Sequence, residues 1–374
     1  MLMRRLQLLG VGVASLLLFS CGNATRQGGR QGDTLSLHHA CLLTVVEQGH
    51  GLQAIVADPW QQGHVLQRND TPGALRRVVV FTAAHCQLLV SLGLADRIVG
   101  VCDLRYMLVP EIRQRVKAGR IVDCGDAMSP DLEKIIDLHP DAIIVSPFEG
   151  SGGFGKLEQL GIPIIQAADY MEPSALGRAE WMRYYGRLFG EGARADSLFH
   201  VVDSTYRHLK AYAAKLPLGR SILTERKTGG TWYTPGGRST MATIISDAHG
   251  RYAFAGDTHS GSLALSVEQI IDKAGESDVW AFKYNGSAMM TRDDLLREYH
   301  GYKALKAFRT GTIYECNTSV VPYFDETPFR PDYLLREMIQ LLHPKATLAP
   351  LRYYRHIDIE HANAMNRQNG QHRQ

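Results

Sequence analysis

The chain lacks most of the residue arrangements that carry reaction chemistry. Its six cysteines, Cys21, Cys41, Cys86, Cys102, Cys124 and Cys316, include no Cys-x-x-Cys pair. A zinc ribbon and a thioredoxin-type redox centre are therefore excluded. Fifteen histidines are present, yet none stands four residues from another beside an acid, as a helical zinc site requires. There is no Gly-x-Ser-x-Gly elbow to expose a nucleophilic serine, and no Gly-x-x-x-x-Gly-Lys-Ser/Thr phosphate loop. Charge is scarce too. The formal net charge is +3, and Arg4, Arg5, Arg26, Arg30, Arg367 and Arg373 sit near the ends, so the body is near neutral. Without a concentrated basic face, nucleic acid is not an expected partner.

What is present suits an exported α/β protein. The length of 374 residues and 45% hydrophobic content allow two domains of ordinary size. Arg4 and Arg5 precede a mostly apolar run from Leu6 to Phe19, the length of a signal-peptide core and short for a membrane span. It ends Leu18-Phe19-Ser20-Cys21-Gly22, which resembles a bacterial lipobox. The resemblance implies cleavage before Cys21 and lipidation of its thiol. The expected scheme is a signal peptide over 1–20, a lipidated tether over 21–40, an αβ lobe over 41–172, linking helices over 173–217, a second αβ lobe over 218–345 and a polar tail over 346–374. Five cysteines remain after Cys21, an odd number whose pairing the sequence leaves open.

One string occurs twice: Glu133-Lys-Ile-Ile-Asp137 and Glu268-Gln-Ile-Ile-Asp272. Each copy is followed by an acid and an apolar run, Asp141-Ala-Ile-Ile-Val and Asp278-Val-Trp-Ala-Phe. That is one helix-then-strand unit per half, with a carboxylate at each helix start. Strands of Val and Ile alternate with helical stretches, as in parallel sheets buried on both faces. Ala193–Leu216 runs without proline and predicts a helix of roughly 36 Å at 1.5 Å per residue. It reads as a rigid strut between the lobes.

Together these features resemble the class III substrate-binding proteins of bacterial ABC importers over about residues 40–345. The carriers are Pro130-Asp131-Leu132-Glu133-Lys-Ile-Ile, with Pro140-Asp141-Ala-Ile-Ile-Val after it, and Leu265-Ser266-Val267-Glu268-Gln-Ile-Ile. The resemblance implies an α/β fold of two lobes with mainly parallel sheets, joined by one long helix, with the ligand in the cleft between them. It implies capture of a small-molecule metal chelate, with a ferric siderophore first and haem or cobalamin as alternatives. It implies delivery to an ABC permease dimer by a monomer that needs no cofactor of its own, held through Cys21 on the periplasmic face of a bacterial membrane. Glu133 and Glu268 match the positions that dock on permease arginines.

Ligands of open parallel sheets bind beyond the carboxyl ends of the strands. That rule selects Arg105, Tyr106, Phe148, Phe154, Tyr170, Lys227, Trp232, Tyr233 and Asn317 as cleft candidates: aromatics for a large flat chelate, Arg105 and Lys227 for its negative charge. A haem would need a His or Tyr axial ligand. Tyr106, Tyr170, Tyr233 and His259 qualify, and no spacing picks among them. The competing class is an αβ hydrolase or transferase. Thr82-Ala-Ala-His85-Cys86 resembles the histidine segment of trypsin-like proteases, but the matching Gly-Asp-Ser-Gly is missing and those proteases are β-barrels. No convergent acid, base and nucleophile is legible, so an enzyme is not expected.

Overall fold

The computed structural model describes residues 32–357, except 50, 151–152 and 347. The expected signal peptide, Cys21 and the residues beyond 357 lie outside the described residues. The described chain belongs to one compact unit beginning at Gly32.

An antiparallel sheet comes first, in the order β1 (Asp33–Thr34), β2 (Leu43–Gln48), β3 (Gly51–Ala57), β4 (Val65–Thr71). Alternation along β3 turns Leu52, Ala54 and Val56 into the core. The segment expected as tether thus contributes a strand at Asp33–Thr34, paired with Val46 and Glu47.

The first αβ lobe follows with β5 (Val78–Val80), α1 (Ala83–Ser91), β6 (Ile98–Val101), α2 (Pro110–Lys117), β7 (Val122–Asp123), the short hairpin β8 (Gly125–Asp126) and β9 (Ser129–Pro130), α3 (Leu132–Asp137), β10 (Ala142–Val145) and β11 (Ile164–Gln166). Its sheet is parallel in the order β11-β10-β5-β6-β7. The edge strand β11 is covered by Gln67, whose amide donates to Ile164 O and accepts from Gln166 N at 2.8 Å. That side chain does the work of a further strand and blunts an edge that would otherwise invite pairing.

Three helices then cross the molecule: α4 (Ala175–Glu180), α5 (Met182–Leu188) and α6 (Gly192–Ala213). The expected long helix is α6, 22 residues and roughly 33 Å. Ala195, Phe199, Val202 and Tyr206 form its buried stripe.

The second lobe contains β12 (Ser221–Thr224), β13 (Lys227–Thr228), β14 (Thr231–Pro235), α7 (Thr240–Asp247), β15 (Arg251–Tyr252), β16 (Ser262–Leu265), α8 (Val267–Ala274), β17 (Val279–Tyr284), α9 (Arg292–Glu298), α10 (Lys306–Thr310), β18 (Ile313–Asn317), α11 (Tyr323–Glu326), α12 (Pro331–Leu342) and β19 (Arg355–His356). Its main sheet runs β15-β12-β17-β18-β19, with β19 antiparallel. β5 and β12, each the first strand in the chain of its lobe's main sheet, occupy equivalent places, as do β10 and β17. The repeated acids also share one task. Asp141 accepts the amides of Arg76 and Arg77 at 2.6 and 2.9 Å, and Asp278 accepts that of Ser221 at 2.9 Å. Each fixes the entry to the first strand of its lobe's main sheet.

The segment from 346, expected as a polar tail, is packed through Ile357. Tyr353, Tyr354 and Ile357 are buried, and β19 extends the sheet. The reason is Glu337 on α12, a buried carboxylate that accepts the amides of Arg352, Tyr353 and Tyr354 in succession. The other end is held the same way. Glu180 accepts the amides of His38, His39 and Ala40 at 3.0, 2.7 and 2.9 Å, and Glu172 those of Cys41 and Leu42, both at 2.9 Å. Because Glu180 is wholly buried, Glu180→Ala strands three amides at once and removes one of the Arg183 guanidinium's partners. It should cost roughly 2–4 kcal/mol in urea unfolding, with Glu180→Gln retaining part of the difference. A loss below about 1 kcal/mol would mean that the carboxylate does not anchor this segment.

Candidate functional site

The carboxyl ends of the parallel strands and the helix starts after them converge between the lobes. Thr82 follows β5 and caps α1, accepting from His85 N. Ser146 follows β10, Glu225 follows β12, and Lys283 lies near the end of β17. With Tyr170, Arg178 and Tyr323 they line a cavity of about 600 Å³ whose walls come from both lobes.

The lobes meet at a packed seam beside this cavity. Phe329 stands edge-on to His85 and Tyr185, with ring centroids 5.5 and 6.0 Å apart. Asp325 accepts the Leu108 amide at 2.9 Å. His85 is therefore a structural residue of α1, and its protease-like sequence context carries no catalytic meaning. Its Nε2 lies 3.0 Å from Asp169 and 3.1 Å from the Tyr185 hydroxyl, and its Nδ1 meets Thr82.

Asp169 is fully buried. Burial alone would raise its pKa, but the charge and hydrogen bond of His85 and the charge of Arg178 outweigh that and hold the carboxyl below its ordinary range. It accepts from Arg178 Nε at 3.1 Å. The two terminal nitrogens of Arg178 have no partner among the described residues, and the side chain borders the cavity. Across the cavity, Lys283 donates to Glu225 and stands 5.3 Å from the Tyr323 ring centre. Burial opposes the Lys283 charge, yet Glu225 more than offsets it and the ammonium stays protonated. Glu225 holds a left-handed backbone, φ 62°, at the cavity wall. A non-glycine residue there stores about 1 kcal/mol or more and persists only where its surroundings fix it. Here Trp280 Nε1 donates to its carbonyl at 2.7 Å.

The sequence candidates divide into groups. Tyr170 lines the cavity and donates to Pro147 O at 2.7 Å. Phe148 and Phe154 line an adjoining chamber on the first lobe, and Tyr233 a recess beside Glu225 and Lys283 on the second. Arg105 pairs with Asp126 at 2.8 Å and stacks on Tyr106, and both are mostly exposed away from the cavity. Lys227 donates to Gly229 O. Trp232 is withdrawn altogether. It belongs to β14, where alternation turns Tyr233 outward and Trp232 inward against Trp280 and Tyr302. The expected loop there is part of an antiparallel sheet, β13-β14-β16. Asn317 is also removed from the cavity wall: its amide bonds Gly286 and Ser319 and shapes their loops. Of the four axial-ligand candidates, only Tyr170 lines the interlobe cavity among the described residues.

Sequence reasoning missed Arg178 and Lys283. Lys283 carried a usable signal, a lone cation closing the apolar strand Val-Trp-Ala-Phe. Arg178 carried none, because its place depends on Asp169, nine residues away on another element.

Residues 78–320 match the model of the family described as periplasmic binding protein. The chain belongs to this family. That family is one of binding proteins, and the chain has the two-lobed α/β fold of a solved binding protein. The match starts at β5, so the sheet β1–β4 precedes it. An uncharacterized lipoprotein of Methanocaldococcus jannaschii is 23% identical over 282 residues, 73% of this chain and 66% of that protein, just under two thirds of its length. The petrobactin-binding protein YclQ of Bacillus subtilis is 29% identical over 157 residues, 41% of this chain and 47% of that one. A periplasmic haem-binding protein from Pseudomonas aeruginosa superposes with a TM-score of 0.60 at 18% identity, covering 76% of this chain and 98% of its own, and shows the same fold.

Arg178→Gln removes the guanidinium whose outer nitrogens are unengaged, while leaving Asp169 with His85 and Tyr185. It should weaken binding of an anionic ligand about tenfold to a hundredfold, the worth of one or two charge-assisted bonds. Arg178→Lys should recover only part. Equal affinities for the parent and the Gln variant, measured by calorimetry, would remove Arg178 from the site.

Proposed function

We propose that this chain is a lipid-anchored receptor that captures an anionic iron chelate, a ferric siderophore first, and hands it to a membrane permease. The observation that carries the reading is Arg178, set in the wall of a two-lobed cavity with its terminal nitrogens unengaged and its Nε held by buried Asp169. A cation steadied in this way binds an anion without first reorganising. The petrobactin binder among the relatives supports the chelate class.

Haem is the second reading, favoured by the fold shared with a haem-binding protein. Tyr170 argues against it. Its hydroxyl is committed to Pro147, and burial raises its pKa, which works against tyrosinate ligation of iron. Titration with a synthetic ferric tris-catecholate, haem and cyanocobalamin, followed by absorbance, separates the readings. Micromolar or tighter binding of the ferric catecholate is expected, and a preference for haem or cobalamin would displace it.

Anchoring through Cys21 and docking through Glu133 and Glu268 belong to the same proposal, as does the division into lobes at 41–172 and 218–345. The lipoprotein relative supports the anchor. Glu133 and Glu268 are both exposed second residues of their helices, behind the caps Asp131 and Ser266, and those helices lead into the equivalent strands β10 and β17. Each exposed ion pair would contribute only about 0–1 kcal/mol, so two serve orientation more than affinity. Glu133→Arg with Glu268→Arg should cut uptake into cells at least about tenfold while ligand affinity stays unchanged. Undiminished uptake would remove both glutamates from docking.

A further inference from the structure

A second space adjoins the interlobe cavity at the first lobe's rim. Thr82 and Ser146 line the cavity on one side and, on the other, this chamber of about 490 Å³ that belongs to the first lobe alone. The two spaces differ in character. The cavity is bordered by Arg178, Glu225 and Lys283. The chamber has a floor of buried Phe81, Val145 and Leu157 and a wall that includes Met128, Phe148 and Phe154. Its charged liners are Asp103 and Lys156, and Asp103 already accepts the Ala127 amide at 3.3 Å. Met128 and Phe148 are 74% and 47% exposed beside this floor, an apolar surface that a soluble protein leaves uncovered where something binds.

We infer that the ligand is amphipathic: a chelate whose anionic head lies at Arg178 between the lobes and whose hydrocarbon arm passes Thr82 and Ser146 into the first-lobe chamber. The inference rests on the chelate reading above and adds the arm. Two features carry it. The chamber adjoins the cavity at Thr82 and Ser146, which line both, so an arm that passes these two residues reaches it. Its lining offers an apolar arm burial that the charged cavity does not. The chamber therefore selects among chelates with the same head, because each buried methylene adds affinity that a bare chelate cannot gain.

The test uses two probes, a synthetic ferric tris-catecholate and the same chelate bearing one octyl arm, with the whole protein. The parent should hold the armed chelate at least about tenfold tighter than the bare one. Met128→Glu, which places a charge in the chamber wall, and Ser129→Trp, which fills its mouth, should abolish that preference while leaving affinity for the bare chelate unchanged. Both positions are exposed, so folding is not at stake. Equal affinities of the parent for the two probes would overturn the arm while the cleft reading stands. A preference that survives both variants would place the arm elsewhere and overturn the inference as well. If Met128→Glu lowers uptake without changing either affinity, the chamber faces a protein partner and the inference falls. If the parent binds neither probe, the chelate reading fails and the arm with it.

Discussion

Burial of the crossing helices against both lobes is the constraint on which the rest depends. The stripe Ala195, Phe199, Val202 and Tyr206 of α6 belongs to the same apolar core as Val78 of the first lobe's sheet and Ile222 of the second's. α12, buried on nearly every side, packs against α6, α4 and α7. The lobes are therefore joined by side-chain packing, not by a loose peptide. Swinging them far apart would open that core to water, at a cost that scales with the apolar area exposed. A modest closing motion is what such a joint permits.

Buried carboxylates complete what packing starts. Glu172, Glu180 and Glu337 each gather consecutive backbone amides from a segment that would otherwise cross the surface with its donors unpaired. Asp169 uses the same chemistry for another purpose. Because it is enclosed by His85, Tyr185 and Arg178, its charge is compensated inside the lobe, and the guanidinium it orients reaches the cavity with its outer nitrogens unengaged. A structural network thereby sets the electrostatics of a binding surface. The seam residues Phe329 and His85 tie the second lobe to the same network.

This economy also explains why the cavity resembles a receptor more than a catalytic centre. Its charged groups are paired off: Lys283 with Glu225, Arg178 with Asp169, His85 with Asp169 and Thr82. Such pairs fix the positions of the groups they join.

The sequence determined the lobes, the strut and the paired glutamates, because each is written in local periodicity or in a repeated string. In both copies Ile-Ile after a capped acid belongs to a helix that leads into a buried strand, and the absence of proline from 174 to 216 allows the crossing helices. The candidate site was legible only in part. Tyr170, Phe148 and Phe154 follow the ends of parallel strands in the first lobe, and that rule is local. Trp232 defeated it because an unread pairing of β14 with β16 turned the residue inward. Tertiary structure alone decided that Arg178 faces the cavity, that Gln67 closes a sheet edge and that Tyr353 and Tyr354 are core. Each depends on a partner far away in the chain or on another element, and local spacing carries no record of such distant contacts.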